Sequence, residues 1–372
     1  MSILSNRAKG LKPSPTLAIN AKAKAMQAQG MRVVSFGAGE PDFDTPENIK
    51  RAAIKSIEEG FTKYTAVGGI DELKDAVIHK FQRDNQLTYK RSQILVSCGG
   101  KHSFYNLAQA LFDRGDEVII PDPFFVMYEY QVLLMGGVPV FVDTYPDFRL
   151  REEEFVKKLS DKTKFIIINS PNNPTGTVYP QEDLLMEARI ARERELLILS
   201  DDIYDNFVFD APACPCMGQL YENTLTFGGF SKGWGMTGWR LGYVAGAREI
   251  LQQMITLQQY TFSSVNSFAQ KAAIKALDFN VDDYIEQYRK KRDLIYEGLK
   301  EKYHVQKPLG AFYIFPEVPG GNGEAFVERA IRQNLFIIPG SVFSKRNTHV
   351  RISFAASEEV LSKGIEVLNR IG

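Results

Sequence analysis

Between residues 94 and 245 the chain carries a series of short apolar runs: Ile94–Ser97, Glu117–Pro121, Val138–Asp143, Phe165–Asn169, Leu196–Ser200, Thr224–Phe227 and Leu241–Ala245. Each run ends in turn or polar residues, and helical patterns such as His102–Phe112 and Glu182–Arg194 lie between most of them. Unbroken Val/Ile/Leu runs, rather than alternating ones, predict strands buried on both faces of a mostly parallel sheet. The fold class that follows is α/β, a seven-stranded sheet with helices on both faces. After about Leu257 the pattern changes to long helices such as Val281–Tyr303, then short strands at Gly310–Phe315 and Val350–Phe354, then a helix from Ser357 to the end. This predicts a smaller α+β domain. Residues 1–30 contain few β-branched side chains and read as an arm followed by a helix. The expected division is an arm over 1–16, a small domain over 17–46 and 280–372, and a large domain over 47–279.

Composition narrows the function classes. With 372 residues the chain exceeds one ordinary core, which agrees with two domains. Lys+Arg and Asp+Glu both number 45, so the net charge is zero, and no basic stripe suggests nucleic acid. Anionic ligands must therefore be held by a few placed cations. No apolar run approaches membrane-spanning length and residues 1–10 lack a signal-peptide core, so a cytoplasmic protein is expected. Cys98, Cys214 and Cys216 do not make a disulfide framework, and Cys214-Pro215-Cys216 has no second Cys/His pair to complete a metal site. No metal is expected.

Topology locates the chemistry. In open α/β sheets ligands collect beyond the carboxyl ends of the strands. Those ends carry Gly99-Gly100-Lys101, Asn169 to Gly176, Asp201 to Tyr204, and Gly228 to Lys232. Lys232 lies in the glycine-rich segment Gly229-Phe230-Ser231-Lys232-Gly233, where a lysine is ordinarily a solvated surface residue. Eight residues on, Arg240 stands at the entry to an apolar run, a costly place for a guanidinium unless it meets an anion. An amine beside a phosphate clamp is what pyridoxal 5′-phosphate (PLP) requires. Asp201 at a strand end is either a helix cap or a partner for the pyridine nitrogen. Ser170-Pro171-Asn172-Asn173-Pro174-Thr175-Gly176 reads as a tight turn, yet a turn alone does not explain two asparagines. Asn173 and Tyr204 are placed to donate to a phenolic oxygen. Lys101 sits in a first helical turn, which is unfavourable by roughly 0.3–1 kcal/mol without a nearby anion, and the glycines before it let amides approach a phosphate.

Together these features resemble the class I PLP-dependent aminotransferases of fold type I, in their bacterial aspartate aminotransferase-like branch. The resemblance runs from about Lys12 to the end. It rests on Gly37-Ala38-Gly39-Glu40-Pro41-Asp42-Phe43-Asp44-Thr45-Pro46, on Ser170 to Gly176, on Ser231-Lys232 with Arg240, and on Val350-Arg351-Ile352-Ser353-Phe354. It implies that 47–279 is the PLP-binding domain and that Lys232 is the Schiff-base lysine and proton shuttle of a ping-pong reaction. It implies further that Asp201 holds the pyridinium, and that Asn173 and Tyr204 hold the phenolic oxygen. Gly100, Lys101 and Arg240 would lie around the cofactor phosphate, Ser231 would also bind the cofactor, and Phe125 would stack on the ring. Arg351 would bind the substrate α-carboxylate, assisted by Asn173 and the backbone of Gly39. Tyr64 would reach the phosphate from a second subunit, which makes a homodimer with shared active sites. Lys101 and Thr16 match a lysine and a threonine that serve acidic substrates in that branch, which favours aspartate or glutamate as donor and a 2-oxo acid as acceptor.

The sequence departs from the family at Gly229, where many relatives carry Ser or Thr, and at Phe125, where many carry Trp or Tyr. The aromatic residues Phe124, Phe125 and Tyr128 leave an aromatic or broad-specificity aminotransferase open. A PLP-dependent C–S β-lyase shares the fold. A non-catalytic PLP-binding regulator would usually carry a basic DNA-binding domain, for which this chain has neither the length nor the charge.

Overall fold

A computed structural model describes residues 3–210 and 215–372. Cys214, half of the cysteine pair noted above, lies outside the described residues. The seven expected strands form one sheet, in the spatial order Ile94–Ser97, Gly242–Ala245, Thr224–Gly229, Leu197–Asp201, Thr163–Asn169, Glu117–Asp122 and Val138–Asp143. Gly242–Ala245 runs antiparallel to both neighbours, and all other pairings are parallel.

Alternate residues of the central strands enter two different cores, which is why their sequences read as unbroken apolar runs. Ile167, Leu199 and Leu225 pack with Phe104 and Leu107 of helix Gly100–Leu111 and with Met254 of helix Arg248–Thr261. Ile166, Ile168 and Ile198 face the other way, onto Leu184, Ala188 and Ala191 of helix Gln181–Glu193. A third cluster joins Ile94 and Val96 to helices Glu47–Glu58, Asp71–Asn85 and Ser267–Leu277.

The small domain has its own core. Helices Asp282–Leu299, Gly323–Arg332 and Glu358–Ile371 contribute Ile295, Phe326 and Leu361, and the strands Tyr313–Ile314 and Val350–Ser353 contribute Ile314 and Ile352. Ile338–Pro339, Val350–Ser353 and Tyr313–Ile314 form a three-stranded antiparallel sheet. A two-residue parallel pairing of Val34–Ser35 with Leu335–Phe336, too short to show a period, had no sequence signal. Tyr204, Phe207 and Phe209 from the loop after Leu197–Asp201 insert into this second core and join it to the large sheet. The long helices after Leu257 do not all belong together. Ser267–Leu277 packs on the large sheet, whereas Asp282–Leu299 reaches the small core. Helix Pro15–Ala28 begins with Ser14 accepting from the Leu17 amide at 3.4 Å and with Pro at the helix start. No helix among the described residues is long and apolar enough to cross a membrane.

Candidate active site

The parallel register sets Asn169 beside Asp201, the last residues of adjacent strands. Asn169 Nδ2 donates to the Asp201 carbonyl at 3.0 Å, and its Oδ1 accepts the Asn173 amide at 2.9 Å, folding the Ser170–Gly176 loop back over the sheet edge. The two asparagines of that loop divide the work. Asn172 Oδ1 accepts from the amide (3.1 Å) and hydroxyl (2.9 Å) of Thr175 and makes the turn. Asn173 Oδ1 instead accepts from Arg351 Nη1 at 3.1 Å.

Arg351 is only 2 % exposed, and its Nη2 donates to the Gly37 carbonyl at 3.0 Å. Its guanidinium lies 4.5 Å from the Tyr313 ring and 4.4 Å from the Phe343 ring. Its Nε has no hydrogen-bond partner, and among the described residues no carboxylate pairs with it. A buried cation in that state is primed for an anion that the chain does not supply. Asn20, one turn beyond Thr16 on helix Pro15–Ala28, lies 3.5 Å from the same Gly37 carbonyl. Residues four apart share a helix face, so Thr16 faces the same side, and its Oγ1 is buried without a partner.

Lys232 donates to the Gly39 carbonyl, and its Nζ lies 5.9 Å from the ring centres of both Tyr204 and Phe312. Burial is the main influence on this amine and pulls its pKa down to about 8; Glu40 opposes, and Arg351, Lys101 and Arg240 add to the lowering. Ser231 beside it is buried. A Cβ on Gly233 would sit 2.9 Å from Asn206 Nδ2, and one on Gly229 would sit 2.8 Å from Ile203 Cδ1. The missing hydroxyl at Gly229 thus goes with a tight contact that a side chain would disturb.

Asp201 is buried; its Oδ2 accepts from the Tyr128 hydroxyl at 2.6 Å and its Oδ1 from the Ile203 amide at 3.2 Å. Burial raises its pKa, while these two bonds and Lys232 lower it. The Tyr204 hydroxyl is 2.9 Å from that of Tyr313. Phe125 meets Tyr128 edge-on at 5.8 Å, and Lys101 Nζ is 5.8 Å from the Phe125 ring centre.

Arg240 requires a correction. It does not enter the strand, which starts at Gly242; it is exposed and adopts the left-handed conformation (φ 55°, ψ 57°). The desolvation argument for an anion therefore fails, and a contact argument replaces it. Arg240 donates to the carbonyls of Thr237 (2.8 Å) and Cys98 (3.4 Å), and a Cβ on Gly99 would lie 2.6 Å from its Nη2. Gly99, at φ 78° and ψ 165°, caps helix Gly100–Leu111 and brings no side-chain acceptor to the first-turn amides. Open helix amides, Lys101 and Arg240 together form a cradle of the kind that holds phosphate. Protein surroundings and Arg240 lower the Lys101 pKa although the residue reaches solvent. The residues present fit PLP: an amine of lowered pKa, a buried carboxylate at a strand end, an aromatic face, and a phosphate cradle.

Tyr64 is not brought to this group and stands 89 % exposed. Tyr313, Asn169 and Glu40 belong to the site but were not singled out from sequence. Glu40, whose Oε2 accepts from Thr237 Oγ1 at 3.0 Å, was at least within the quoted motif. Tyr313 lay in the expected strand Gly310–Phe315, of which Tyr313–Ile314 forms, but nothing in the run marked its hydroxyl for the site.

This constellation offers what a PLP-dependent enzyme needs: a buried amine, a buried carboxylate, an aromatic face and, among the described residues, unpaired cations. The family model "Aminotransferase class I and II" matches residues 31–368, and the chain belongs to that family, whose members transfer amino groups with PLP. The chain is 43% identical to the aspartate aminotransferase of Bacillus sp. strain YM-2, covering 99% of this chain and 98% of that protein. It is 39% identical to the aspartate/prephenate aminotransferase of Thermus thermophilus, covering 99% and 98% respectively. A solved structure of Thermus thermophilus aspartate aminotransferase with maleate superposes with a TM-score of 0.96 at 38% identity, covering 100% of both chains.

Proposed function

We propose that this aminotransferase uses aspartate or glutamate as donor and a 2-oxo acid as acceptor, with Lys232 as its base. The observation that carries the reading is the set of cations near Lys232, namely Arg351, Lys101 and Arg240. None of them is ion-paired to a carboxylate among the described residues. A phosphate takes up Lys101 and Arg240 in part, and a substrate α-carboxylate takes up Arg351. A second carboxylate on the substrate finds Lys101 and the unpartnered hydroxyl of Thr16. The names of the relatives point the same way.

Bound PLP supplies a carbonyl that accepts the amino group and a ring that withdraws electrons from the α-carbon. The chain does the rest. With the cofactor bound, Asp201 would hold the ring nitrogen, Asn173 and Tyr204 the phenolic oxygen, and Phe125 would stack on the ring. Gly100, Lys101 and Arg240 would hold the phosphate, and Ser231 would also contact the cofactor. Arg351, with Asn173 and the Gly39 backbone, fixes the carboxylate and hence the direction of the Cα–H bond. Lys232, held at the Gly39 carbonyl, takes that proton with an amine partly neutral near pH 7. In this reading the domains divide as arm 1–16, small domain 17–46 and 280–372, and large domain 47–279, with the arm and the start of the 15–28 helix closing over substrate to exclude water. The working unit is a homodimer in which Tyr64, exposed in one chain, reaches the partner's phosphate.

The test compares aspartate, glutamate and phenylalanine as donors, with 2-oxoglutarate, oxaloacetate and prephenate as acceptors, in wild type and Lys101→Ala. Losing a charge-assisted bond costs roughly 1.5–3 kcal/mol, so kcat/KM for the acidic donors should fall about 10- to 150-fold while that for phenylalanine holds. Equal losses for all donors assign Lys101 to the phosphate alone and withdraw the acidic-substrate reading.

A further inference from the structure

Tyr128 is 1 % exposed, on helix Met127–Met135, and its ring is fixed by Phe125 edge-on at 5.8 Å and by Phe104 at 5.5 Å. A phenol so deeply buried costs free energy unless its hydroxyl is paired. Its pair is Asp201 Oδ2 at 2.6 Å, the length of a charge-assisted bond to an ionised carboxylate. Among the described residues, the other donor to the Asp201 carboxylate is the Ile203 amide at 3.2 Å, on the opposite oxygen. Tyr128 therefore makes the shorter contact, and it does so from a helix rather than from the strand end that carries Asp201.

We infer that Tyr128 is a positioning residue for the cofactor: its hydroxyl keeps the Asp201 carboxylate ionised and aimed, so that the proton between carboxylate and ring nitrogen stays on the ring. The inference rests on the proposed pairing of Asp201 with that nitrogen. Burial makes Asp201 a stronger proton acceptor, and the Tyr128 bond is the largest influence opposing it. Without the hydroxyl the carboxylate competes better for the shared proton, and a ring without that proton withdraws electrons less. The phenol itself remains a neutral donor, because burial and Asp201 both push its own ionisation well above the ordinary tyrosine range. Tyr128 also touches Phe125, the ring-covering residue, but that contact needs only the aromatic ring. Tyr128→Phe keeps the ring and removes the hydroxyl, which isolates the inferred role.

The experiment loads wild type and Tyr128→Phe with PLP isotopically labelled at the ring nitrogen and records its nitrogen NMR shift. Wild type should show a protonated ring nitrogen, and Tyr128→Phe a shift toward the unprotonated position. A ring-fluorinated tyrosine at position 128, a stronger donor, should hold the shift at or beyond the wild-type value. In parallel kcat should fall on the order of tenfold with the donor KM within about twofold, the pattern of an interaction used after binding. If Tyr128→Phe does not retain PLP, the carboxyl titration of Asp201 in the cofactor-free proteins gives the same answer, with a higher midpoint expected in the variant. A protonated wild-type nitrogen that does not move in Tyr128→Phe, or an unmoved Asp201 midpoint, overturns the role of Tyr128 alone. An unprotonated nitrogen in wild type overturns the Asp201 pairing, and this inference with it.

Discussion

The ionisation of Lys232 is the most quantitative consequence of the site. An unperturbed lysine titrates near 10.5, and this one is drawn down to about 8, chiefly by burial. At pH 7.5 a group with the lowered value is about one quarter neutral, against about 0.1% for an unperturbed one, a gain of roughly 200-fold in available base. The charges around it act with opposite signs: Glu40 raises the value, and Arg351, Lys101 and Arg240 lower it. Glu40→Gln should therefore move the midpoint down, and Arg351→Met should move it up. The linkage to stability follows the same sign. Between pH about 8 and 10.5 the unfolded amine still holds a proton that the folded one has released, so cofactor-free protein should gain thermal stability as pH rises through that window. The assay is competitive acetylation of the cofactor-free protein from about pH 6 to about pH 10, with labelling at Lys232 followed by peptide mass spectrometry against exposed lysines. A midpoint near that of the exposed lysines, or variants that shift in the same direction, would refute the electrostatic account of the base.

Three further outcomes are expected. Gly99→Ala should weaken PLP binding about tenfold or more, measured by cofactor titration, because φ 78°, ψ 165° costs a side chain about 1–3 kcal/mol and its Cβ would press Arg240. Glu187 is fully buried in helix Gln181–Glu193, neither carboxylate oxygen finds a hydrogen bond, and burial followed by Asp183 raises its pKa. Glu187→Met should stabilise the fold by about 1–3 kcal/mol in urea unfolding. The advantage should grow as pH rises above the ordinary glutamate range, where the unfolded chain ionises and the folded one resists; a constant difference across pH would contradict it. Tyr64→Phe should weaken PLP retention without altering the oligomer, whereas a fully active wild-type monomer on sizing would exclude a shared site.

Much of this was legible in the sequence because the fold writes itself in buried strands. The runs around Ile166–Ile168 and Ile198–Leu199 have no polar face to break them, since each side of the sheet has its own core. Strand ends were placed within a residue or two, and the residues gathered there, Asn173, Asp201, Tyr204 and Lys232, do converge. Arg240 was read for the wrong reason. A run of sequence cannot distinguish an arginine at the head of a strand from one in a left-handed turn two residues earlier, and only the latter lets the guanidinium reach Gly99. Tyr128 carried no mark separating a core aromatic from a partner of Asp201, because the pairing spans 73 residues of sequence. Tyr313 was hidden similarly, its contacts to Tyr204 and Arg351 made across the junction of the two cores.

The central claim is that Lys232 carries the cofactor at the heart of this site. The most direct measurement reduces the PLP-loaded protein with borohydride and maps the modified peptide by mass spectrometry. A phosphopyridoxyl group on Lys232 alone, absent in Lys232→Ala together with transamination, is the predicted result. A label on another lysine, or near-normal turnover by Lys232→Ala, would contradict the account.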